Sequence, residues 1–230
     1  RWQEEYFSRK GIVMAPDLPG HGVCPWKRET LRDMAHGLAG EFDRRGIRGA
    51  AFIASSFGGL VALELWQIRP DFFRAITFAG SVPCFTAGEH MGVGLTRDRI
   101  HALGRKLEGD TARILEVFFR SLFTPEEKAS PSYAAIKPLH KAMPVPSKEV
   151  LRAYLDILAV ADLRRVLAGV TVPVQFIYGA EDYICPEALV APLKGFCLSA
   201  RVDVLPGCGH VPFISRPAAF NALVTEFTGL

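Results

Sequence analysis

The 230-residue sequence predicts an α/β protein, a mostly parallel sheet with helices on both faces and an inserted helical lid. Three observations carry this. Short apolar runs of strand length alternate with helix signals in the first third. From about Thr96 to Leu167 no convincing strand signal occurs, and amphipathic helical segments follow one another. Strand signals then return before the C-terminus. The expected division is core at 1–95, lid at 96–167 and core again at 168–230.

Each element has a local reason. Gly11–Pro16 (GIVMAP) is an apolar run of strand length. Thr30 suits the N-cap of a helix through Arg45, which Gly46 stops. Ala50–Ala54 reads as a buried strand. Leu60–Ile68 is apolar on nearly every face, as a helix buried against a sheet should be, and Pro70 follows its end. Ala75–Ala79 is a third strand. Within the lid, Gly109, Pro125, Pro131, Pro144 and Pro146 separate the helical stretches. Val172–Tyr178 and Ala200–Leu205 are strands, and a last helix spans about Pro217–Phe227.

Composition narrows the function. With 49% apolar and 22% charged residues the chain buries a sizeable core, which excludes a disordered chain, a coiled coil and a disulfide miniprotein. No apolar run approaches the ~20 residues of a membrane span. A net charge of +3 without a block of like charge argues against nucleic acid as a partner. Cys24, Cys84, Cys185, Cys197 and Cys208 are odd in number and lack a CxxC pair, so reduced thiols in a cytoplasmic protein are expected rather than disulfides or a zinc site. No Gly-rich phosphate loop is present, and no metal or organic cofactor is expected.

Ala54-Ser55-Ser56-Phe57-Gly58 falls between a strand and a buried helix, the context of a nucleophile elbow. The sharp turn favours small side chains two residues either side of the nucleophile. Ser56 has Ala54 and Gly58 there, whereas Ser55 would have Ile53 and Phe57, so Ser56 is the candidate. A serine hydroxyl needs a base. His210 follows a strand in the loop Gly207-Cys208-Gly209-His210; His21, His36, His90, His101 and His140 lack an equivalent position. The base needs an acid to hold its tautomer. Asp182 follows the Val172–Tyr178 strand, with Glu181 as competitor and Asp203 disfavoured inside a strand. The chain order Ser, Asp, His, each just past a strand, is what makes the set coherent.

With these residues the sequence resembles the α/β-hydrolase family, from Trp2 onward. Asp17-Leu18-Pro19-Gly20-His21-Gly22 is similar to that family's D-L-P-G-x-G loop. The likeness sharpens toward the pimeloyl-acyl-carrier-protein methyl ester esterases of biotin synthesis. Ser81-Val82-Pro83-Cys84-Phe85, Met143-Pro144-Val145-Pro146, Leu155-Asp156-Ile157-Leu158 with Asp162-Leu163-Arg164, and His210-Val211-Pro212-Phe213-Ile214-Ser215 resemble motifs of that group.

The resemblance implies an α/β-hydrolase fold and a serine carboxylesterase whose substrate is a small acyl ester borne on acyl-carrier protein; a monomer is expected. Ser56, Asp182 and His210 would form the triad, and the Phe57 N–H half of the oxyanion hole. Phe118, Phe119, Arg120, Ser121 and Leu122 fall where the lid closes over the acyl chain. Lys106, Arg113 and Arg120, spaced by seven, would share one helix face toward an acidic carrier if Gly109 does not break the helix, with Lys137 as a further basic contact. The family also carries an apolar strand ending in H-G before the D-L-P-G-x-G loop. Nothing before Trp2 matches it, so missing N-terminal strands and an inactive or unstable 230-residue chain are expected. A broad short-chain carboxylesterase or lactonase is the alternative among enzymes, and a catalytically incomplete binder of an acyl ligand or partner is the alternative outside them.

Overall fold

The computed structural model describes residues 2–87 and 94–230. Four parallel strands form one sheet: β1 (Ala50–Ser55), β2 (Phe73–Ala79), β3 (Val174–Gly179) and β4 (Arg201–Leu205), in that spatial order. Ala54 lies opposite Phe78, Phe78 opposite Phe176, and Ile177 opposite Asp203. Parallel neighbours require crossovers, and helices supply them. The helices of the described residues are α1 (Trp2–Phe7), α2 (Leu31–Arg44), α3 (Phe57–Ile68), α4 (Arg97–Leu107), α5 (Thr111–Ser121), α6 (Pro131–Ala142), α7 (Lys148–Val160), α8 (Arg164–Ala168), α9 (Val190–Phe196), α10 (Pro212–Ser215) and α11 (Pro217–Thr228), of which α3 to α9 lie in the crossovers.

Local chemistry sets the boundaries. Thr30 accepts from the Asp33 N–H while Asp33 reaches back to the Thr30 N–H, a reciprocal cap that starts α2. Gly46, at φ +65°, lets the chain leave after it. The helix α3 is buried along most of its length between the sheet and α2. Leu60, Leu63, Phe78, Phe176 and Tyr178 are fully buried in the main core. Each such side chain contributes ~1.5–3 kcal/mol by leaving water.

From Arg97 to Ala168 the chain is mostly helical, with breaks near Gly109, Pro125, Pro131, Pro144 and Pro146. Thr96, Asp110, Ser130 and Ser147 each accept a hydrogen bond from the amide three residues on, starting α4, α5, α6 and α7.

Two expectations are corrected. Gly11–Pro16 is not a strand. A strand needs a neighbour for its backbone groups, and among the described residues β1 pairs with β2 alone. Met14 and Val13 still pack against the core, while Ile12 is 99% exposed. Nor do Lys106, Arg113 and Arg120 share a helix. The chain turns at Gly109, leaving Lys106 on α4 and both arginines on α5.

Candidate active site

Ser56 sits at the turn from β1 into α3, at φ +48° and ψ −122°. A non-glycine residue rarely adopts this conformation, so the surroundings must hold it. The Ser56 N–H donates to Ala79 O at 3.0 Å, tying the turn to β2. Ser81 Oγ donates to Ser56 O at 2.7 Å. Ser81 thus gives the Ser81–Phe85 motif a structural task at the elbow. The expected steric demand at Gly58 moves by one residue: a Cβ there would meet nothing within 4 Å, whereas one on Gly59 would lie 2.0 Å from Ser81 Oγ. Phe57 opens α3, so its N–H belongs to the first helical turn, whose amides have no partner within the helix.

Asp182 and His210 follow β3 and β4 at the same end of the sheet as Ser56. His210 Nε2 lies 3.0 Å from Ser56 Oγ, and His210 Nδ1 lies 2.8 Å from Asp182 Oδ2. A carboxylate only accepts, so the pairing puts the ring proton on Nδ1 and turns the Nε2 lone pair toward Ser56. Asp182 Oδ1 accepts from the N–H groups of Ile184 at 2.8 Å and Cys185 at 3.0 Å. Asp182 and His210 are 2% and 3% exposed. The competing acids are engaged elsewhere. Glu181 accepts from the Gly207 N–H, and Asp203 accepts from Gln175 and Arg201. His90 lies outside the described residues.

Cys185 completes a buried group in which its sulfur, Asp182 and His210 offer ligand-type atoms within 4.8 Å of one another. Burial, reinforced by Asp182, pushes the Cys185 thiol up, and the thiol donates to Gly80 O at 3.4 Å. It acts here as a protonated hydrogen-bond donor, not as a thiolate ligand.

The lid residues separate into different roles. Phe119 is buried in a cluster with Phe123, Tyr133 and Val211, and stacks on His140 at 3.9 Å. Its ring is spent on lid packing. Phe118 and Arg120 are exposed. Ser121 Oγ lies 2.9 Å from the Tyr183 hydroxyl and donates to Phe118 O at 2.6 Å. Leu122 O accepts from the His210 N–H at 2.9 Å. Lys106, Arg113 and Lys137 are exposed.

Sequence reasoning missed Tyr154 and Glu127. The Tyr154 ring, on α7, lies 4.5 Å from that of Phe57 and 4.9 Å from that of His21. Its hydroxyl donates to Pro19 O at 2.8 Å, and burial pushes its pKa up. One side chain therefore joins the lid, the Asp17–Gly22 loop and the elbow helix. Nothing in one sequence marks it, because its three neighbours are far away along the chain. Glu127 is buried against the His210 loop, and its signal was legible as Thr124-Pro125-Glu126-Glu127, a T-x-x-E capping pattern. A groove of about 620 Å³, lined by Trp26, Leu31, Ala153, Ile157 and Val160 among others, includes neither Ser56 nor His210.

A strand, a strained serine turn and a helix, with an acid and a histidine delivered past later strands, define an α/β-hydrolase site. The chain belongs to the alpha/beta hydrolase family, whose model matches residues 2–223. It is similar to the pimeloyl-[acyl-carrier protein] methyl ester esterase of Pectobacterium carotovorum subsp. carotovorum (strain PC1), 33% identical over 212 residues that cover 92% of this chain and 81% of that one. The enzyme of the same name from Yersinia enterocolitica (serotype O:8 / biotype 1B) is 31% identical, covering 92% and 80%. In fold it is similar to an esterase from Exiguobacterium antarcticum, with a TM-score of 0.88 at 20% identity, covering 100% of this chain and 86% of that one. An enol-lactonase from Burkholderia xenovorans LB400 superposes with a TM-score of 0.85 at 21% identity, covering 100% and 85%.

Proposed function

We propose that this carboxylic ester hydrolase cleaves the methyl ester of a pimeloyl chain carried on acyl-carrier protein, as a cytoplasmic monomer that needs no metal or organic cofactor. One observation carries the catalytic part: Ser56 Oγ, His210 Nε2, His210 Nδ1 and Asp182 Oδ2 lie in series at 3.0 and 2.8 Å. In this reading Ser56 attacks the ester carbonyl as His210 takes its proton. The Phe57 N–H stabilises the oxyanion, worth ~2.7–4 kcal/mol for one such donor. His210 then protonates the departing alcohol, and water, activated by the same base, releases the acid. Asp182 holds the tautomer and the developing imidazolium.

The curated relatives' names and the four motifs outside the elbow support the choice of substrate. Phe118, Ser121 and Leu122 would line the acyl path, with Phe119 supporting them from the lid core. The exposed Lys106, Arg113, Arg120 and Lys137 would meet an acidic carrier, where rim charges act chiefly on association rate.

The test is hydrolysis of the carrier-bound methyl ester by wild type and Ser56→Ala. The alanine variant should lose several orders of magnitude in kcat while still binding substrate. Retention of more than about a tenth of the activity would rule Ser56 out as nucleophile. Equal turnover of short esters or lactones, with no preference for the carrier-bound ester, would move the reading to a broad esterase or lactonase.

A further inference from the structure

Two consecutive amides of the histidine loop are held by the lid. The His210 N–H donates to Leu122 O at 2.9 Å, and the Gly209 N–H donates to Glu127 Oε2 at 3.0 Å. The same Glu127 oxygen accepts from the Thr124 N–H at 2.7 Å, and the Glu127 N–H donates back to Thr124 Oγ1 at 3.1 Å. Glu127 is 3% exposed, and its other oxygen, Oε1, is buried with no hydrogen-bond partner among the described residues. A cap for a single helical turn is equally well made at a wet surface, so capping does not account for a buried carboxylate, whose desolvation is costly. The amide of Gly209 does account for it.

The approach is close. A Cβ on Gly209 would lie 2.4 Å from Leu122 O and 3.1 Å from Glu127 Oε2. On its other side the loop is tied to the core, where the Glu181 N–H donates to Cys208 O at 2.9 Å. The imidazole that reaches Ser56 therefore hangs from a short loop clamped between the core and the lid. Taking the triad reading as its basis, we propose that Glu127 is a positioning residue for His210, so that the helical insert completes the general base as well as covering the substrate. Without the carboxylate the Gly209 amide loses its acceptor, and the loop can drift away from Ser56.

The experiment compares the full chain with Glu127→Ala, Glu127→Gln, Glu127→Asp and Ile136→Ala. Ile136 packs in the same lid cluster as Phe119 and serves as a packing control. Readouts are thermal unfolding, kcat and KM on p-nitrophenyl acetate, and the rate of Ser56 labelling by a fluorophosphonate probe. Glu127→Ala should lower kcat and labelling rate together by about tenfold, the scale of one lost charge-assisted hydrogen bond, with KM within about twofold. Glu127→Gln keeps an acceptor oxygen at the same reach and should restore most of the rate. Glu127→Asp keeps the charge but withdraws it by one methylene, and should be slower than Gln. If the alanine variant does not fold, the ranking of Gln above Asp decides the matter. An unchanged kcat in Glu127→Ala, a loss confined to KM, or an equal kcat loss in Ile136→Ala at the same Tm overturns the proposal. A wild-type chain that the probe does not label overturns the triad reading and this inference with it; a labelled wild type with an unaffected Glu127→Ala overturns this inference alone.

Discussion

The strands β1 and β3 belong to one sheet and each leads into a site residue, yet they are built differently. Every residue of β3 is buried, and it is paired on both sides, to β2 and to β4. Among the described residues β1 is paired on one side only, and Ile53 is 39% exposed. Asp182 after β3 thus rests on a fully enclosed strand. Ser56 after β1 rests on two tethers from the neighbouring strand's end instead, its N–H to Ala79 O and its carbonyl from Ser81 Oγ. The difference teaches that burial fixes the Asp182 side of this site, while a strained turn and a few tethers fix the Ser56 side.

The largest effect expected from this contrast is chemical. Asp182→Asn keeps the fold but presents the wrong partner to His210 Nδ1, so kcat should fall by about four orders of magnitude, with thermal unfolding little changed. A loss below about tenfold would show that the acid does not set the tautomer.

The two strands can be compared directly by truncation. Ile177 in β3 is fully buried, and Ile177→Ala should cost ~2–5 kcal/mol in denaturant unfolding. Ile53→Ala in β1 should cost under ~1 kcal/mol, because its side chain is already partly in water. Equal costs would break the comparison.

Ser81→Ala removes the tether on the elbow carbonyl. It should cost ~1 kcal/mol of stability and lower kcat severalfold, since the turn strain at Ser56 is then less well opposed. Activity equal to wild type would mean that the Ser56–Ala79 bond alone holds the turn.

The smallest effect lies on the lid. Arg113→Glu with Arg120→Glu should lower kcat/KM for the carrier-bound ester several-fold at low salt and leave p-nitrophenyl acetate nearly unaffected. The wild-type advantage should fade as salt shortens the reach of exposed charges to under ~10 Å. Equal losses on both substrates would assign the arginines to lid structure.

Much of this was legible because the chemistry is local. Thr30 at the start of α2 and Gly46 past its end act within three or four residues of their partners. Ser56, Asp182 and His210 could be named because each follows a strand in an order that parallel topology permits. The run Gly11–Pro16 misled because strand propensity describes a residue's fit to a pleated surface and says nothing of whether a neighbour is there to pair. The seven-residue spacing of Lys106, Arg113 and Arg120 put them on one face only on condition that Gly109 left the helix unbroken, and the helix ends there, between α4 and α5.

What the sequence alone determined is the alternation of strands and helices, the run of helices between β2 and β3, and the three residues brought into series at the end of the sheet. The tertiary structure decided what surrounds them. Tyr154 meets Phe57 across 97 residues and Pro19 across 135, Glu127 meets Gly209 across 82, and Ser81 reaches back to Ser56 across 25. Such contacts depend on how packed layers approach one another, and packing complementarity leaves no period or spacing in the chain from which to read it.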